Sequence, residues 1–348
     1  MKDILKQLTE FYGPSGNEHM LMQSISSMFS QYCDSVKVDK FYNIIAVKKA
    51  NPVKEAKYKV MFAAHMDEIG LIITDIDKKG FIKFISVGGV DPRILLSQEV
   101  IIHGKKKIFG VIGAKPAHLI EEDESKKPIK FENLYIDIGM SEGQAREVLS
   151  IGDIITFKAD WTELQNELVS SKSLDNRAGV AVLVNFLKEL ANVKYDVDII
   201  CVATTQEELG LRGAIVSTYG INPDAVMVVD GCHGYMPGLD KEDTYELGKG
   251  PAIAIGPNIQ HELVDYLKKV AKEENISYQI DVEPGNTGTD AWAVQVSRSG
   301  IPTLLVSFPL RYMHTTVETV SVKDLKNTSK LLSHFVKQLG QKLEEIRC

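Results

Sequence analysis

Residues 58–67 read YKVMFAAHMD, a mostly apolar run closed by a histidine, a methionine and an aspartate. A short apolar run without polar alternation is expected of a strand covered on both faces, the kind found in α/β sheets. Working outward, DVDIICVATT (196–205), DAVMVVD (224–230) and IPTLLVSFP (301–309) share that texture. Between and around them, LDNRAGVAVLVNFLKELA (174–191) and HELVDYLKKVAKEE (261–274) carry helical periodicity, and the closing run 322–346 reads as one long helix. Upstream, two amphipathic helices over residues 3–12 and about 17–32 flank the break Gly13-Pro14-Ser15-Gly16, and SVKVDKFYNIIAVKK (35–49) reads as a strand pair.

From residue 71 to 160 the texture changes. Segments such as GLIITDI, GFIKFISV, EVIIHG, KIFGVIG, NLYIDIG and DIITF are short, alternating and punctuated by Gly, Pro and Asp, with helical character only near 141–149. The charged stretch EEDESKKPIK (121–130) reads as a solvated hairpin tip. The expected fold class is therefore α/β, a mixed central sheet flanked by helices and built from residues 1–70 and 161–348, with a small all-β domain inserted over 71–160.

The bulk numbers narrow the function. At 348 residues, 44% hydrophobic and 25% charged, the chain is an ordinary globular sequence large enough for an unstapled core. A net charge of −7 argues against a nucleic-acid partner, whose binding surface is normally basic. No apolar stretch approaches the ~20 residues of a membrane span. The start MKDILKQLTEFYG lacks a signal-peptide core. Cys33, Cys201, Cys232 and Cys348 show no CxxC spacing, as expected of free thiols in a reducing compartment. The expected location is the cytoplasm.

Polar residues immediately beyond the buried strands carry the chemistry. The first strand ends in His65-Met66-Asp67, the second in Gln206-Glu207-Glu208, the third in Asp230-Gly231, and the fourth runs on to His314. Ligands of open α/β sheets bind beyond the carboxyl ends of the strands. Asp175 opens a helix after Ser173-Leu174, where a carboxylate also suits the helix dipole. Taken singly, each has an ordinary structural explanation: a hydrogen-bonded histidine, a helix cap, a solvated turn. Their delivery to one sheet edge by separate segments points instead to a metal centre. His65, Asp175, Glu208, Asp230 and His314 form a mixed nitrogen and oxygen set suited to Zn2+, Co2+ or Mn2+. Five side chains exceed what one catalytic ion takes, so two divalent ions sharing Asp175 are expected. Residues two apart in an extended strand point the same way, which lets Asp67 orient His65. Glu208 is assigned as ligand and Glu207 as the metal-free general base, an order the spacing alone leaves open.

The segments AAHMDEIG (63–70), SLDNRAG (173–179), TTQEELGLRGA (204–214), VVDG (228–231) and RYMHTTVE (311–318) resemble, in order and spacing, the motifs of the M42 family of metallo-aminopeptidases. The similarity runs through nearly the whole chain and includes VGGVDPRILLSQEV, GVIGAKPAH and LYIDIG in the inserted segment. The resemblance implies His65, Asp175, Glu208, Asp230 and His314 as ligands with Asp175 bridging, Glu207 as general base and Asp67 as the carboxylate orienting His65. It also implies a zinc-peptidase-like fold with a PDZ-like or barrel-like dimerisation insert, assembly of dimers into a dodecamer, and peptides with a free amino terminus as substrates.

The expected activity is therefore removal of single residues from peptide amino termini by a water activated between two metals. The alternatives are a glycoside hydrolase, a label some relatives of the family carry, and a related co-catalytic metal amidohydrolase or carboxypeptidase. VEPGNTGTDAWA (282–293) and GCHGYMPG (231–238) are expected to wall the substrate pocket, Thr289-Asp290 receives no catalytic role, and no cationic cluster demands an acidic substrate side chain. A neutral or broad side-chain preference is expected.

Overall fold

The run Lys59–His65 forms β3, and the computed structural model, which describes residues 1–52, 55–119 and 127–347, shows why Val60–Ala64 within it are apolar. The hairpin partners β1 (Ser35–Val38) and β2 (Ile44–Lys48) precede it. Beyond it come β10 (Thr162–Glu163), β11 (Leu168–Ser171), β12 (Asp198–Thr204), β13 (Ala225–His233), β14 (Ala252–Ile255), β15 (Gln279–Val282), β16 (Thr303–Arg311) and β17 (Glu318–Ser321). Among the described residues these build one 11-stranded sheet, with β12, β3, β13 and β16 adjacent and parallel at its centre. Helices cover the central strands, so β12 is buried at every position and β3 at every position after Lys59. Phe62 of β3 packs against Phe186 of the helix Leu174–Glu189, ring centroids 4.7 Å apart. Each such fully buried apolar side chain contributes about 1.5–3 kcal/mol, and this shared core fixes the strand ends in space.

Parallel register then aligns the chemistry. Thr204 pairs with His65, and Asp230 pairs with Ser307, which sets His65 and Asp230 at one end of the sheet. β13 runs on past Asp230 to His233, further than its apolar run, because its pairing with β16 continues to Leu310.

The strands β4 (Gly70–Ile76), β5 (Ile82–Val87), β6 (Glu99–His103), β7 (Lys107–Ala114), β8 (Leu134–Asp137) and β9 (Ile154–Phe157) close into a separate barrel. Its interior is a second core that includes Leu71, Ile82, Val100, Ile136 and Ile155. The outward positions Phe109 and Val111 of β7 remain exposed. Of the stretch read as a hairpin tip, residues 121–126 lie outside the described residues.

The closing run is not one helix. It divides into Val322–Phe335, a single 3-10 turn over Val336–Gln338, and Leu339–Arg347. At the break Gly340 N–H donates to Asp196 Oδ1 at 2.9 Å, an approach that a β-carbon at Gly340 would block. Cys33, Cys201 and Cys232 are unpaired thiols, and no helix of the described chain is long and apolar enough to cross a membrane.

Candidate active site

At the carboxyl end of the parallel strands, His65, Asp175 and Asp230 bring donor atoms within 4.8 Å of one another, and so do Asp175, Glu208 and His314. Asp175 belongs to both groups. Its Oδ1 lies 3.1 Å from His65 Nε2 and its Oδ2 3.4 Å from His314 Nε2. Asp230 Oδ1 is 3.8 Å from His65 Nε2, and Glu208 Oε1 is 3.2 Å from His314 Nε2. Glu207 falls in neither group, its Oε2 standing 3.9 Å from His65 Nε2. All six side chains line one cavity of about 450 Å³.

Backbone geometry aims these groups. Asp175 (φ −79°, ψ 107°) and Asn176 (φ −121°, ψ 35°) are non-helical, so Asp175 precedes the regular turns and is freed to face the sheet edge. Asn176 Nδ2 donates to Val229 O at 2.9 Å, tying this segment to β13 just before Asp230. Asp67, fully buried, spans the next segment: its Oδ1 accepts from Glu207 N at 3.1 Å and its Oδ2 from Glu208 N at 3.2 Å. Asp67 Oδ1 also stands 3.4 Å from His65 Nδ1, a contact outside hydrogen-bonding geometry that leaves Nδ1 without a bonded partner. Adjacent to this turn, Glu18 Oε1 accepts from Gln206 N at 2.9 Å.

Three of these supports are invisible in a reading of strand ends. Buried Glu318 accepts from Asp175 N at 3.0 Å through Oε2 and from His314 N at 2.8 Å through Oε1, fixing two ligand candidates with one carboxylate. Gly89, from the loop after β5, presents its carbonyl 2.9 Å from His314 Nδ1. A proton on Nδ1 donated to that carbonyl leaves Nε2 as the free lone pair facing Asp175 and Glu208. Asn176 is the third. Each lies inside a motif singled out in the sequence; Asn176 adjoins Asp175 and Glu318 follows His314 by four residues, whereas Gly89 stands near no ligand in the chain and gave no such signal.

The electrostatics ask for positive charge. Burial pushes Glu207 up to about 10; His65 opposes this, while Asp230, Asp290 and Asp67 reinforce it. Asp230 is likewise raised well above the carboxylate range by burial, against the pull of His65 and with the push of Asp175 and Asp290. For His314, burial works downward, yet Asp175 and Glu208 carry it up to about 11. Asp175 is the exception: burial would raise it, but the two flanking imidazoles hold it below the ordinary range. Carboxylates packed this closely cannot all ionise without cations among them, and the nitrogen and oxygen donors suit Zn2+, Co2+ or Mn2+. The residues fit a divalent metal centre.

The M42 glutamyl aminopeptidase family model matches residues 43–331. The chain belongs to the M42 aminopeptidase family. This M42 chain is 35% identical over 343 residues to a lysyl aminopeptidase of Pyrococcus furiosus, covering 97% of each. Its fold superposes on an aminopeptidase of Desulfurococcus kamchatkensis with a TM-score of 0.90 at 35% identity, covering 99% of this chain and 97% of that one. It also superposes on the TET1 peptidase of Pyrococcus horikoshii, described as assembling into a tetrahedron or a large octahedral shell, with a TM-score of 0.83 at 33% identity over 96% and 98% of the two chains.

The walls of the M42 site come from the two glycine-rich loops. Gly231 lines the cavity from one, and Asn286, Gly288, Thr289 and Trp292 from the other. Asp290 is buried behind them: its Oδ2 accepts from Thr204 Oγ1 at 2.6 Å, its Oδ1 has no partner, and burial raises it to about 6.

Proposed function

We propose that this chain is a metal-dependent aminopeptidase that hydrolyses the first peptide bond of peptides with a free amino terminus. The observation that carries the reading is Asp175, shared by two donor groups while Glu207 stands outside both. His65, Asp175 and Asp230 would hold one divalent ion, and Asp175, Glu208 and His314 a second; Zn2+ and Co2+ suit the set best, and Mn2+ is compatible. When bound, two such ions supply Lewis acidity to an attacking water and to the scissile carbonyl.

The chain's own residues do the rest. Glu207 accepts the proton of the attacking water and returns it to the leaving nitrogen, the work of a carboxylate without metal duty. Burial alone would keep Glu207 protonated, so its work as a base depends on the positive charge that bound cations would bring to the cluster. Asp67, through the two backbone N–H groups it accepts, keeps Glu207 and Glu208 in their separate directions. Glu318 and the Gly89 carbonyl hold His314.

The same reading makes residues 71–160 a dimerisation insert. Exposed Phe109, Val111 and Ile85 on the barrel wall support it, as apolar side chains on an outer face mark a partner surface. Further assembly into a dodecamer has a precedent in the PhTET1-12s structure, a dodecamer, and a cytoplasmic location without membrane or nucleic-acid partners completes the proposal.

The test is release of p-nitroaniline from free and N-acetylated aminoacyl p-nitroanilides by chelated protein, before and after Zn2+, Co2+ or Mn2+ is restored. Metal-dependent cleavage confined to free amino termini is expected. Cleavage of the acetylated compounds at an equal rate, or release of reducing sugar from a glycan by chelated protein, would overturn the reading.

A further inference from the structure

A second cavity of about 450 Å³ adjoins the reaction cavity and shares Gly231, Asn286, Gly288, Thr289 and Met313 with it. Four carboxylates stand on its wall, Glu242 and Asp243 exposed, Glu283 half-buried and Asp281 buried. Asp281 is only 6% exposed, and its Oδ1 accepts from Tyr245 Oη at 2.6 Å. Among the described residues no lysine or arginine forms an ion pair with any of the four, and His233 is the one basic side chain on the wall.

A buried carboxylate without a cation carries a desolvation cost, and two close together repel. Burial raises Glu283 to about 7, with the charge of Asp281 adding to it, and burial raises Asp281 as well. Such a cavity is poorly suited to an acidic or purely apolar side chain. It is matched to a long side chain ending in a cation, which supplies the missing counter-charge and hydrogen-bond donors together.

The position of the cavity says which part of a substrate enters. Gly231 follows Asp230 directly, and the 286–289 loop walls both cavities, so a peptide whose first carbonyl lies at the donor cluster has its first side chain at the mouth of the acidic cavity. We propose that this cavity receives the first side chain of the substrate and selects lysine or arginine there. The inference rests on the aminopeptidase reading above and adds the substrate class, which the family description and the relatives leave divided.

The experiment uses the full-length, metal-replete enzyme and compares kcat/KM for Lys-, Arg-, Leu- and Glu-p-nitroanilide. The lysyl and arginyl compounds are expected to exceed the leucyl and glutamyl ones by about tenfold or more, the size of one charge-assisted hydrogen bond. Glu283→Gln is expected to lower the Lys value about tenfold more than the Leu value. A lead for Leu would place the first side chain instead in the neighbouring apolar groove of Leu211, Ile215, Val216, Tyr219 and Val296, and would overturn the proposal. An equal fall for Lys and Leu in Glu283→Gln would do the same. If the wild type cleaves none of the four compounds with any metal, the aminopeptidase reading itself fails and the proposal falls with it, a result distinct from a reordered preference.

Discussion

Asp175 divides its carboxylate between two histidines, with Oδ1 3.1 Å from His65 Nε2 and Oδ2 3.4 Å from His314 Nε2. Only a side chain with two equivalent acceptor oxygens can face both groups at once. Asp175→Asn keeps the shape but turns one oxygen into an NH2 group, which donates hydrogen bonds and has no lone pair to offer a cation. The variant is expected to retain at most one divalent ion per chain after dialysis, against two for the wild type, by elemental analysis. Two ions at full occupancy in the variant would remove Asp175 as the bridge.

Asp67 works on the opposite side, through backbone N–H groups of Glu207 and Glu208 rather than through the cavity. In Asp67→Asn one of those two bonds becomes a donor facing a donor. The carboxylates that prepare a metal site typically contribute 10–100-fold in affinity or activity. A fall in kcat of about that size is expected, with the fold kept, as read by kinetics beside circular dichroism. Unchanged kcat would leave Asp67 a purely structural residue.

Gly89 carries the barrel's contribution to the site. A β-carbon there would lie 2.8 Å from His314 Nδ1 and 3.0 Å from its Cε1, so Gly89→Ala must move either the imidazole or the loop. Affinity for the second divalent ion is expected to drop roughly 10–100-fold while the melting temperature hardly changes, because the barrel core is untouched. Titration calorimetry on the chelated protein checks it, and an unaltered second affinity would refute it.

Stability near the site rests on a buried ionic cluster. Glu68 accepts from Lys172 Nζ at 2.6 Å and Arg177 Nη2 at 2.9 Å, while Arg177 also donates to Met66 O and Leu8 O, which fastens the amino-terminal helix to the end of β3. At Glu68 burial is outweighed by Arg177 and Lys172, so its pKa lies below the ordinary value; at Lys172 burial outweighs the attraction and pulls it down to about 8. The pair is therefore charged on both sides from weakly acidic pH up to about 8. Glu68→Gln leaves two buried cations without their counter-charge and is expected to cost about 3–5 kcal/mol in urea unfolding at pH 7. Because the folded pKa of Glu68 is depressed, its contribution is full above the unfolded value of 4.5 and is lost as pH falls through the folded one, so the gap between wild type and variant should narrow in acid. A gap that stays constant down to strongly acidic pH would contradict this.

What could be read from the sequence divides along a physical line. His65, Glu208, Asp230 and His314 were legible because each follows a buried apolar run, and parallel strands necessarily end together. Asp175 was legible as a carboxylate beside a helix, but its non-helical backbone was not, since that conformation is imposed by Glu318 and the strand beneath. Glu318, Gly89 and Asn176 were missed because they act through backbone groups far away in the chain; Gly89 and His314 are 225 residues apart. The acidic cavity was hidden for the same reason: Glu242, Asp243, Asp281 and Glu283 come from separate segments, and neither segment alone departs from an ordinary charged loop. The closing helix looked continuous because its periodicity runs through Gly340, while the break answers to Asp196.

The division of labour between adjacent Glu207 and Glu208 is tested most directly by Glu207→Gln, with metal content and turnover measured on the same preparation. The expected result is two divalent ions retained per chain and kcat lowered about 10²–10⁴-fold, the contribution of a positioned base. Turnover near the wild-type rate, or loss of an ion, would contradict it, since Glu207 would then be a bystander or a ligand.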